Sequence, residues 1–325
     1  MSDYGFPLSF ALYTQGLPFH GGPIENQSLG GSESAVWFLS RELAKLGHHV
    51  EVYCQCPHPG DYGGAWYYPV EDFNRMAMAK EWDVFVAVRF FTALALPLRA
   101  KQMWLALHDM PGAMAKQCAA HCFQTDQVIP LSNFHQDSWV KEFDGFAPKM
   151  WQSRNGVDLE LLGKYGTAKR NPKRLIYASR PERGLDYLLA QIWPRLHQLD
   201  PQLELVICGY DMRTYDFPPN LREFYRQMDT AVAQSPGVTN AGPLTKAQFY
   251  KLLSSCAAMT YTCSFQEVSC IAALEAMSLG VPVVTSDAYA LKETIPYDLV
   301  PGTPHDPGYA ERFIAQTITV LQNEL

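Results

Sequence analysis

The sequence lacks the features that identify several classes of protein. No apolar run approaches the roughly 18–20 residues that a membrane-spanning helix requires. Met1 to Gly5 contain neither the basic nor the apolar region of a secretory signal peptide. Charged residues make up only 18% of the 325 residues, and the net charge is −7. We therefore expect a cytoplasmic protein without a nucleic-acid partner, because a nucleic-acid interface needs clustered lysine and arginine.

Two motifs that define other classes of enzyme are also missing. The sequence contains no Asp-x-Asp triplet, an arrangement that would present carboxylate oxygens to a divalent cation. No Gly-x-Gly-x-x-Gly follows an early apolar run, which disfavours a dinucleotide-dependent oxidoreductase. We expect neither a metal site nor a bound cofactor.

The eight cysteines include two small groups. Cys54 and Cys56 flank a single residue, and Cys118, His121 and Cys122 form the second group. A structural zinc site needs two well-spaced pairs of ligands, and neither group has a second pair. Reduced, buried thiols are therefore the favoured interpretation of both groups.

Length and patterning together predict two α/β domains. At roughly 100–200 residues per domain, 325 residues allow two of them. Short apolar runs alternate with amphipathic stretches, and the alternation restarts after a polar segment. This pattern predicts two Rossmann-like, doubly wound sheets covered by helices. We expect these domains to face each other across a cleft, with ligands at the carboxyl ends of the strands.

The predicted elements set the domain boundaries. In the first half, strands are predicted at 8–13, 49–54, 83–88, 102–107 and 126–131, and helices at 32–46 and 133–143. In the second half, strands are predicted at 174–179, 203–208, 257–262 and 281–285, and helices at 184–197, 245–254 and 268–279. The expected organisation is an N-terminal domain at 1–157, a linker at 158–173, a C-terminal domain at 174–306 and a final helix at 307–325.

The most informative segment begins at Glu267. A helix is predicted to open near Val268, so its first backbone amides lack intrahelical partners and can bind an anion such as a diphosphate. Glu275 follows Glu267 after seven intervening residues. Eight steps along a helix correspond to ~12 Å and ~80° of rotation, so the two carboxylates can hold two ends of one ligand. The spacing alone equally allows a capping Glu267 and a solvated Glu275.

This segment resembles the signature of glycosyltransferase family 4, written E-x7-E and followed here by Gly280-Val281-Pro282-Val283-Val284. The resemblance implies a retaining enzyme with the two-domain GT-B fold. It also implies that Glu267 contacts donor-sugar hydroxyls and that Glu275 binds the ribose. The intervening amides would bind the donor diphosphate, and they belong to Val268, Ser269, Cys270 and Ile271. The chain departs from the family here, because Val268-Ser269-Cys270 replaces the usual Gly-Phe-Gly.

Two arginines follow the first strand of the second half. Arg180 and Arg183 lie three residues apart at a predicted helix start, where they can converge on a phosphate. Arg180 resembles the family's arginine at this place, and Arg183 replaces its lysine. The resemblance implies that both neutralise the leaving diphosphate. The alternative is that they are surface residues at the start of a helix.

Three residues of the first half complete the candidate site. Gly30 and Gly31 precede a helix, where glycine lets a ligand approach the backbone, although a simple turn explains the pair equally well. Their position matches the family's glycine-rich loop near the donor phosphates. His108 ends a predicted strand and resembles the family's His-Asp step, which contacts the donor sugar. An isolated histidine is more often structural.

The expected function is metal-independent transfer of a sugar, with retention of configuration, from a nucleoside-diphosphate sugar. The acceptor class stays open between a glycan, a lipid-linked molecule and a small molecule. Trp66, Tyr67 and Tyr68 either stack on an acceptor sugar or simply pack. The alternatives are a GT-B sugar-nucleotide epimerase and a non-catalytic nucleotide-sugar-binding protein.

Overall fold

The computed structural model describes residues 7–112, 124–209 and 217–323, which form two compact units. The first unit comprises Met1–Ile24 and Leu29–Asn155. The second comprises Glu25–Ser28 and Gly156–Leu325, so a short early segment of the chain belongs to the later unit. Each unit is built on its own sheet.

The first unit contains a seven-stranded sheet in the order β3-β4-β2-β1-β5-β6-β7. The strands are β1 (Ser9–Tyr13), β2 (His49–Cys54), β3 (Gly60–Tyr62), β4 (Ala65–Pro69), β5 (Trp82–Val88), β6 (Ala100–Ala106) and β7 (Gln127–Ile129). All neighbours are parallel except β3 and β4, which form an antiparallel edge. The central strands are continuous apolar runs because both faces of a parallel sheet are covered.

The described residues of the first unit form three α-helices, which are α1 (Gly31–Lys45), α2 (Phe73–Ala79) and α3 (Asn133–Glu142). The Ser132 hydroxyl caps α3 by accepting a hydrogen bond from the amide of His135. The core is rich in aromatic rings, and the rings of Phe73 and Phe85 stack at a centroid distance of 5.4 Å. Burial of such large rings is the main stabilising contribution of this core.

The second unit contains a five-stranded, wholly parallel sheet in the order β10-β9-β8-β11-β12. The strands are β8 (Asn171–Ala178), β9 (Glu204–Gly209), β10 (Val238–Pro243), β11 (Cys256–Tyr261) and β12 (Val283–Thr285). The helices of its described residues are α4 (Leu159–Tyr165), α5 (Trp193–Leu199), α6 (Pro219–Gln234), α7 (Lys246–Ser254), α8 (Ile271–Ser278), α9 (Leu291–Thr294) and α10 (Tyr309–Asn323). An α-helical turn at Leu185–Tyr187 and a π-helical turn at Leu188–Ile192 lead directly into α5.

The segment expected to be a linker, 158–173, has regular structure. Asp158 caps helix α4 by accepting a hydrogen bond from the amide of Leu161 at 2.9 Å, and strand β8 already begins at Asn171. A side chain at Gly166 would overlap Leu279, so this segment packs closely on the second unit. Its polar composition reflects a partly exposed helix, which is why the pattern resembled a linker.

The final helix also belongs to the second unit. Phe313 and Ile314 of α10 are buried in the same core as Leu175 and Tyr177 of strand β8. The final helix, which the sequence analysis set apart from the C-terminal domain, therefore packs on the core of that domain along Tyr309–Asn323. The chain boundary between the units falls between Asn155 and Gly156.

The predicted fold class is confirmed, since both halves are α/β units built on mostly parallel sheets. The edge strands β3, β4 and β10 and the helix α6 were not predicted. Within the described part of the chain, no helix combines the length and the apolar character needed to cross a membrane.

Candidate active site

Glu267 lies buried beyond the end of strand β11. Its Oε1 accepts hydrogen bonds from Arg183 Nη1 at 3.1 Å and from the Tyr261 hydroxyl at 2.6 Å. Burial raises the pKa of Tyr261 well above its ordinary value, so this phenol stays protonated and donates. The Arg183 guanidinium also lies 4.1 Å from the centre of the Phe265 ring, a cation–π contact. The parallel strands β8 and β11 thus bring residues 84 positions apart together at their carboxyl ends.

Gly184 packs the turn that contains Arg183 against Thr262, the residue that directly follows strand β11. Its φ of +121° lies in the region that favours glycine, and a side chain there would overlap the Thr262 carbonyl oxygen. The Thr262 hydroxyl donates to the Gly184 carbonyl at 2.6 Å, and the Ser264 amide donates to the Arg183 carbonyl at 3.1 Å. These contacts hold the two loops in one arrangement, and they require glycine at position 184.

Arg180 lies at the start of the same turn, on the side of helix α6. Its guanidinium forms an ion pair with Glu182 and lies 5.9 Å from the centre of the Phe217 ring. Glu182 also accepts a hydrogen bond from the Tyr225 hydroxyl of α6 at 2.9 Å. The structure therefore places both predicted arginines directly after strand β8, each engaged with a different carboxylate. Both side chains are partly exposed, Arg180 by 24% and Arg183 by 25%.

Glu275 lies on helix α8 with only 2% of its surface exposed. Its Oε1 accepts hydrogen bonds from Lys246 Nζ at 2.6 Å and from the Tyr250 hydroxyl at 2.9 Å. Burial raises the pKa of Tyr250, so this phenol also donates. The alternative of a solvated Glu275 is wrong because the side chain is enclosed by helix α7.

The segment between the two carboxylates differs from its prediction. Helix α8 begins at Ile271 and not near Val268, because Cys270 at its N-cap has an extended backbone with φ −92° and ψ 93°. No side chain caps the helix, so Glu267 does not act as its capping carboxylate. Among the described residues, none accepts a hydrogen bond from the amides of Ser269 and Cys270. These amides and the first turn of α8 remain available to an anion.

His108 lies in a polar cluster of the first unit, two residues after strand β6. The adjacent Asp109 carboxylate forms an ion pair with Arg89, and its carbonyl accepts hydrogen bonds from His135 Nε2 at 2.9 Å and Trp139 Nε1 at 3.0 Å. Burial lowers the pKa of His108 to about 4. The imidazole is therefore neutral near pH 7.

Gly30 and Gly31 also lie in the first unit, at the start of helix α1. Gly30 is the N-cap residue with φ −72° and ψ 174°, and no side chain caps this helix. Glu33 in the first turn is buried and accepts hydrogen bonds from the Leu17 amide at 3.2 Å and the Ser32 hydroxyl at 3.1 Å. The predicted site residues are thus divided, with the glycines and His108 in the first unit and the carboxylates and arginines in the second.

The sequence analysis missed several partners of the predicted residues. In the first unit these are Arg89 and His135, which bind Asp109. In the second unit they are Lys246, Tyr250 and Tyr261, which bind the two carboxylates. The spacing of Lys246 and Tyr250 places them on one face of α7, which is a recognisable signal. Nothing local indicated that this face is turned toward Glu275.

The sequence analysis also singled out two cysteines and an aromatic segment of the first unit. Cys54 is buried and Cys56 is half-buried, and both are free thiols. Cys118, His121 and Cys122 fall outside the described residues. On strand β4 the side chains alternate, so that Tyr67 is buried against Ser40 whereas 48% of the surface of Trp66 is exposed.

The paired α/β units define a GT-B-like fold, and solved structures share it over nearly the whole chain. HepE (Alr3699) from Anabaena, in complex with UDP and glucose, is 17% identical, with 97% of this chain and 98% of that chain covered and a TM-score of 0.67. Sucrose-phosphate synthase from Thermosynechococcus elongatus is 16% identical, with 98% and 90% covered and a TM-score of 0.70. A glycosyltransferase from Rickettsia africae ESF-5 is 12% identical, with 97% and 88% covered and a TM-score of 0.69.

The family assignment comes from the second unit. Residues 172–323 match the family described as glycosyl transferases group 1. The match is confined to these residues, and it confirms the resemblance found in the sequence. No curated protein matches the chain in sequence. The roles of individual site residues stay predictions.

Proposed function

We propose that this glycosyltransferase moves a sugar from a nucleoside-diphosphate sugar to a hydroxyl acceptor, with retention of configuration and without a metal ion. The observation that carries the proposal is the matched surroundings of Glu267 and Glu275. Each buried carboxylate has a cation and a tyrosine on its Oε1. No described residue donates a hydrogen bond to Oε2 of either one.

Each end of a nucleotide-sugar has a complementary group in the second unit. Oε2 of Glu275 can accept hydrogen bonds from ribose hydroxyls, and Oε2 of Glu267 can accept them from the donor sugar. The amides of Ser269 and Cys270 and the start of α8 lie between them along the chain and suit the diphosphate. A carboxylate, an amide cluster and a second carboxylate follow the order of the groups in the ligand.

The leaving group is stabilised by fixed positive charge. Arg180 and Arg183 follow strand β8, and negative charge grows on the diphosphate as the bond to the sugar breaks. Preorganised cations and amides can supply the electrostatic stabilisation that a divalent cation provides in other transferases. The acceptor oxygen attacks the face that the diphosphate vacates, and the departing phosphate oxygen takes the acceptor's proton. Configuration at the anomeric carbon is thereby retained.

The role of His108, in the first unit, rests on its resemblance to the family's His-Asp step. Its pKa of about 4 keeps the imidazole neutral near pH 7, so it can donate one hydrogen bond and accept another. The acceptor class stays open between a glycan, a lipid-linked molecule and a small molecule. Uridine diphosphate sugars are the first donors to test, because HepE was solved with UDP and glucose.

A screen of UDP-, GDP- and ADP-sugars by thermal shift identifies the donor, since a bound ligand stabilises the folded state. Nucleotide release is then measured with and without acceptor sugars, in buffer containing EDTA. We expect release that depends on an acceptor and persists in EDTA. Isomerised nucleotide-sugar without acceptor would indicate an epimerase, and binding without any release would indicate a non-catalytic module. Loss of activity in EDTA would contradict metal independence.

The arginine role has its own test. Replacing Arg180 by alanine removes one cation from the leaving-group site, and we expect turnover to fall by about 100-fold with a smaller change in donor affinity. Arg226→Ala, an exposed arginine of helix α6 that pairs with Glu223, is a suitable control. Unchanged kinetics in Arg180→Ala would remove the leaving-group role.

A further inference from the structure

The two donors that bind Glu275 lie on the same carboxylate oxygen. Lys246 Nζ is 2.6 Å and the Tyr250 hydroxyl is 2.9 Å from Oε1. No described residue donates to Oε2. An ionised carboxylate has about four acceptor positions on its two oxygens. Half of the hydrogen-bonding capacity of Glu275 is therefore left for a ligand. The two hydrogen bonds to Oε1 fix the orientation of the carboxylate and therefore the position of Oε2.

The start of helix α7 fixes Lys246 in this place. Thr245 and Gln248 form a reciprocal capping box, with distances of 3.3 Å and 3.0 Å between side chain and backbone. The Lys246 amide donates to the Gln27 carbonyl at 3.1 Å. Tyr250 follows four residues later on the same helix face. The backbone that carries both donors is anchored before any ligand binds.

Helix stability does not explain why a lysine stands here. A cation in the first turn lies at the positive end of the helix dipole, where acidic residues are favoured. The side chains of Lys246 and Glu275 are only 10% and 3% exposed, so both charges lose much of their hydration. The attraction within a buried pair often fails to repay that loss. Such an unfavourable desolvation energy is expected where the protein keeps a charged group in place to bind a ligand.

We propose that Lys246 and Tyr250 are positioning residues of the donor site, which hold one oxygen of Glu275 so that the other accepts the ribose hydroxyls of the nucleotide. The inference rests on the proposed function, because it assumes that Glu275 binds ribose. It adds that the preference for a ribonucleotide depends on two side chains that act through Glu275. Without Lys246, a buried carboxylate would lose its counter-charge and its fixed orientation.

The test compares two nucleotides that differ only at the ribose. Affinities of the full chain for UDP and 2′,3′-dideoxy-UDP are measured by calorimetry, with GDP or ADP and its dideoxy form used instead if the donor screen selects that base. Hydrogen bonds to a charged group are each worth about tenfold or more in affinity. We expect the wild type to prefer UDP by about tenfold to 100-fold, and Glu275→Gln to lose most of that preference.

The variants Lys246→Met and Tyr250→Phe decide the inference. Lys246→Met should reduce the preference for UDP to a few-fold, and Tyr250→Phe should reduce it by about threefold, while affinity for the dideoxy nucleotide changes little in either. Lys251→Met, an exposed lysine of the same helix, should keep the full preference. The dideoxy nucleotide separates positioning from a general structural role, because structural damage would weaken both ligands.

Each other outcome has a defined meaning. If Lys246→Met weakens both nucleotides equally, or keeps the full preference for UDP, the positioning role is overturned. If Lys246→Met does not fold, Tyr250→Phe decides, because it removes one hydroxyl at nearly constant volume. A wild-type protein without preference for UDP would instead remove the ribose role of Glu275, which is a failure of the proposed function itself.

Discussion

The two buried carboxylates of the second unit have the same kinds of partner but differ in exposure. Glu267 is held by Arg183, whose side chain is 25% exposed and also contacts the Phe265 ring. Glu275 is held by Lys246, whose side chain is 10% exposed and lies in the first turn of helix α7. One cation is therefore within reach of a ligand, whereas the other is enclosed.

This difference in exposure suggests that the Glu267 and Glu275 regions have different roles. A partly exposed arginine can interact with its carboxylate and with the charge that develops on a leaving group, because guanidinium presents five donors in a fixed fork. An enclosed lysine is a point charge that can only orient its partner. We therefore expect the Glu267 region to control turnover and the Glu275 region to control donor binding. The following predictions are ordered from the largest expected effect to the smallest.

Arg183→Ala should have the largest effect on catalysis. The change removes a leaving-group cation and leaves the buried Glu267 without its counter-charge. We expect kcat to fall by about 100- to 1,000-fold, the range seen when one preorganised donor is removed. Steady-state kinetics with the donor selected by thermal shift would measure it.

The matched control for this variant is Arg195→Ala. Arg195 forms an ion pair with Glu311 on the surface of the same unit, with the two side chains 47% and 61% exposed. Exposed pairs contribute little, so its kinetics and stability should stay near those of the wild type. A similar loss of kcat in both variants would show that the Arg183 effect is not specific to the site.

Glu275→Ala should affect binding more than turnover. Loss of the ribose acceptor is expected to raise KM for the donor by about 10- to 100-fold while kcat changes less than threefold. Glu311→Ala serves as the surface control. If Glu275→Ala lowers kcat as much as Arg183→Ala does, the proposed division between the two carboxylates is wrong.

Gly184→Ala should disturb the Arg183 side of the site and spare the Glu275 side. The new side chain meets the Thr262 carbonyl and stands at φ +121°, a conformation that costs about 1–3 kcal/mol for residues other than glycine. We expect a lower free energy of unfolding and a several-fold lower kcat, with nearly normal UDP affinity.

Gly163→Ala is the control for the glycine substitution. Gly163 lies inside helix α4, and a side chain there would meet no atom within 4 Å. Alanine at such a place stabilises a helix by about 0.5–1 kcal/mol. Equal destabilisation by both changes in urea titrations would mean that the Arg183 turn does not depend on Gly184.

The carboxylates and arginines could be predicted from the sequence because their spacing is local. Glu267 and Glu275 lie within one short segment, and Arg180 and Arg183 within one turn after a strand. A resemblance to a family signature could therefore locate them. The alternation of apolar runs was also sufficient to predict the α/β fold, since strand β2 occupies the predicted 49–54 without any shift.

The partners of these residues could not be predicted, because tertiary contacts decide them. Tyr261 is one residue of an apolar strand, and only the pairing of β8 with β11 brings it to Arg183 and Glu267. Lys246 resembles an ordinary surface lysine at a helix start. The start of helix α8 was predicted near Val268, before its observed start at Ile271. The extended backbone of Cys270 delays the helix, and the pattern of apolar residues does not indicate that conformation.

His108 in the first unit is neutral, whereas Glu267 and Glu275 are paired with cations. We expect His108 to make the free energy of unfolding depend on pH. The pKa of His108 is about 4 in the folded protein, below its ordinary value of 6.5, because burial disfavours the imidazolium. Between pH 6.5 and about 4 the unfolded chain therefore binds a proton that the folded chain does not. The free energy of unfolding should fall as the pH is lowered through this window, by about 1 kcal/mol per pH unit from this residue.

Replacing His108 by glutamine tests this linkage, because glutamine does not titrate. Urea unfolding of the wild type and of His108→Gln would be compared at pH 4.5 and pH 7.5. The difference in unfolding free energy between the two pH values should be smaller in the variant by about 1–2 kcal/mol. His135, whose pKa is also lowered by burial, remains in both proteins. An equal difference in the wild type and the variant would show that folding does not lower the pKa of His108.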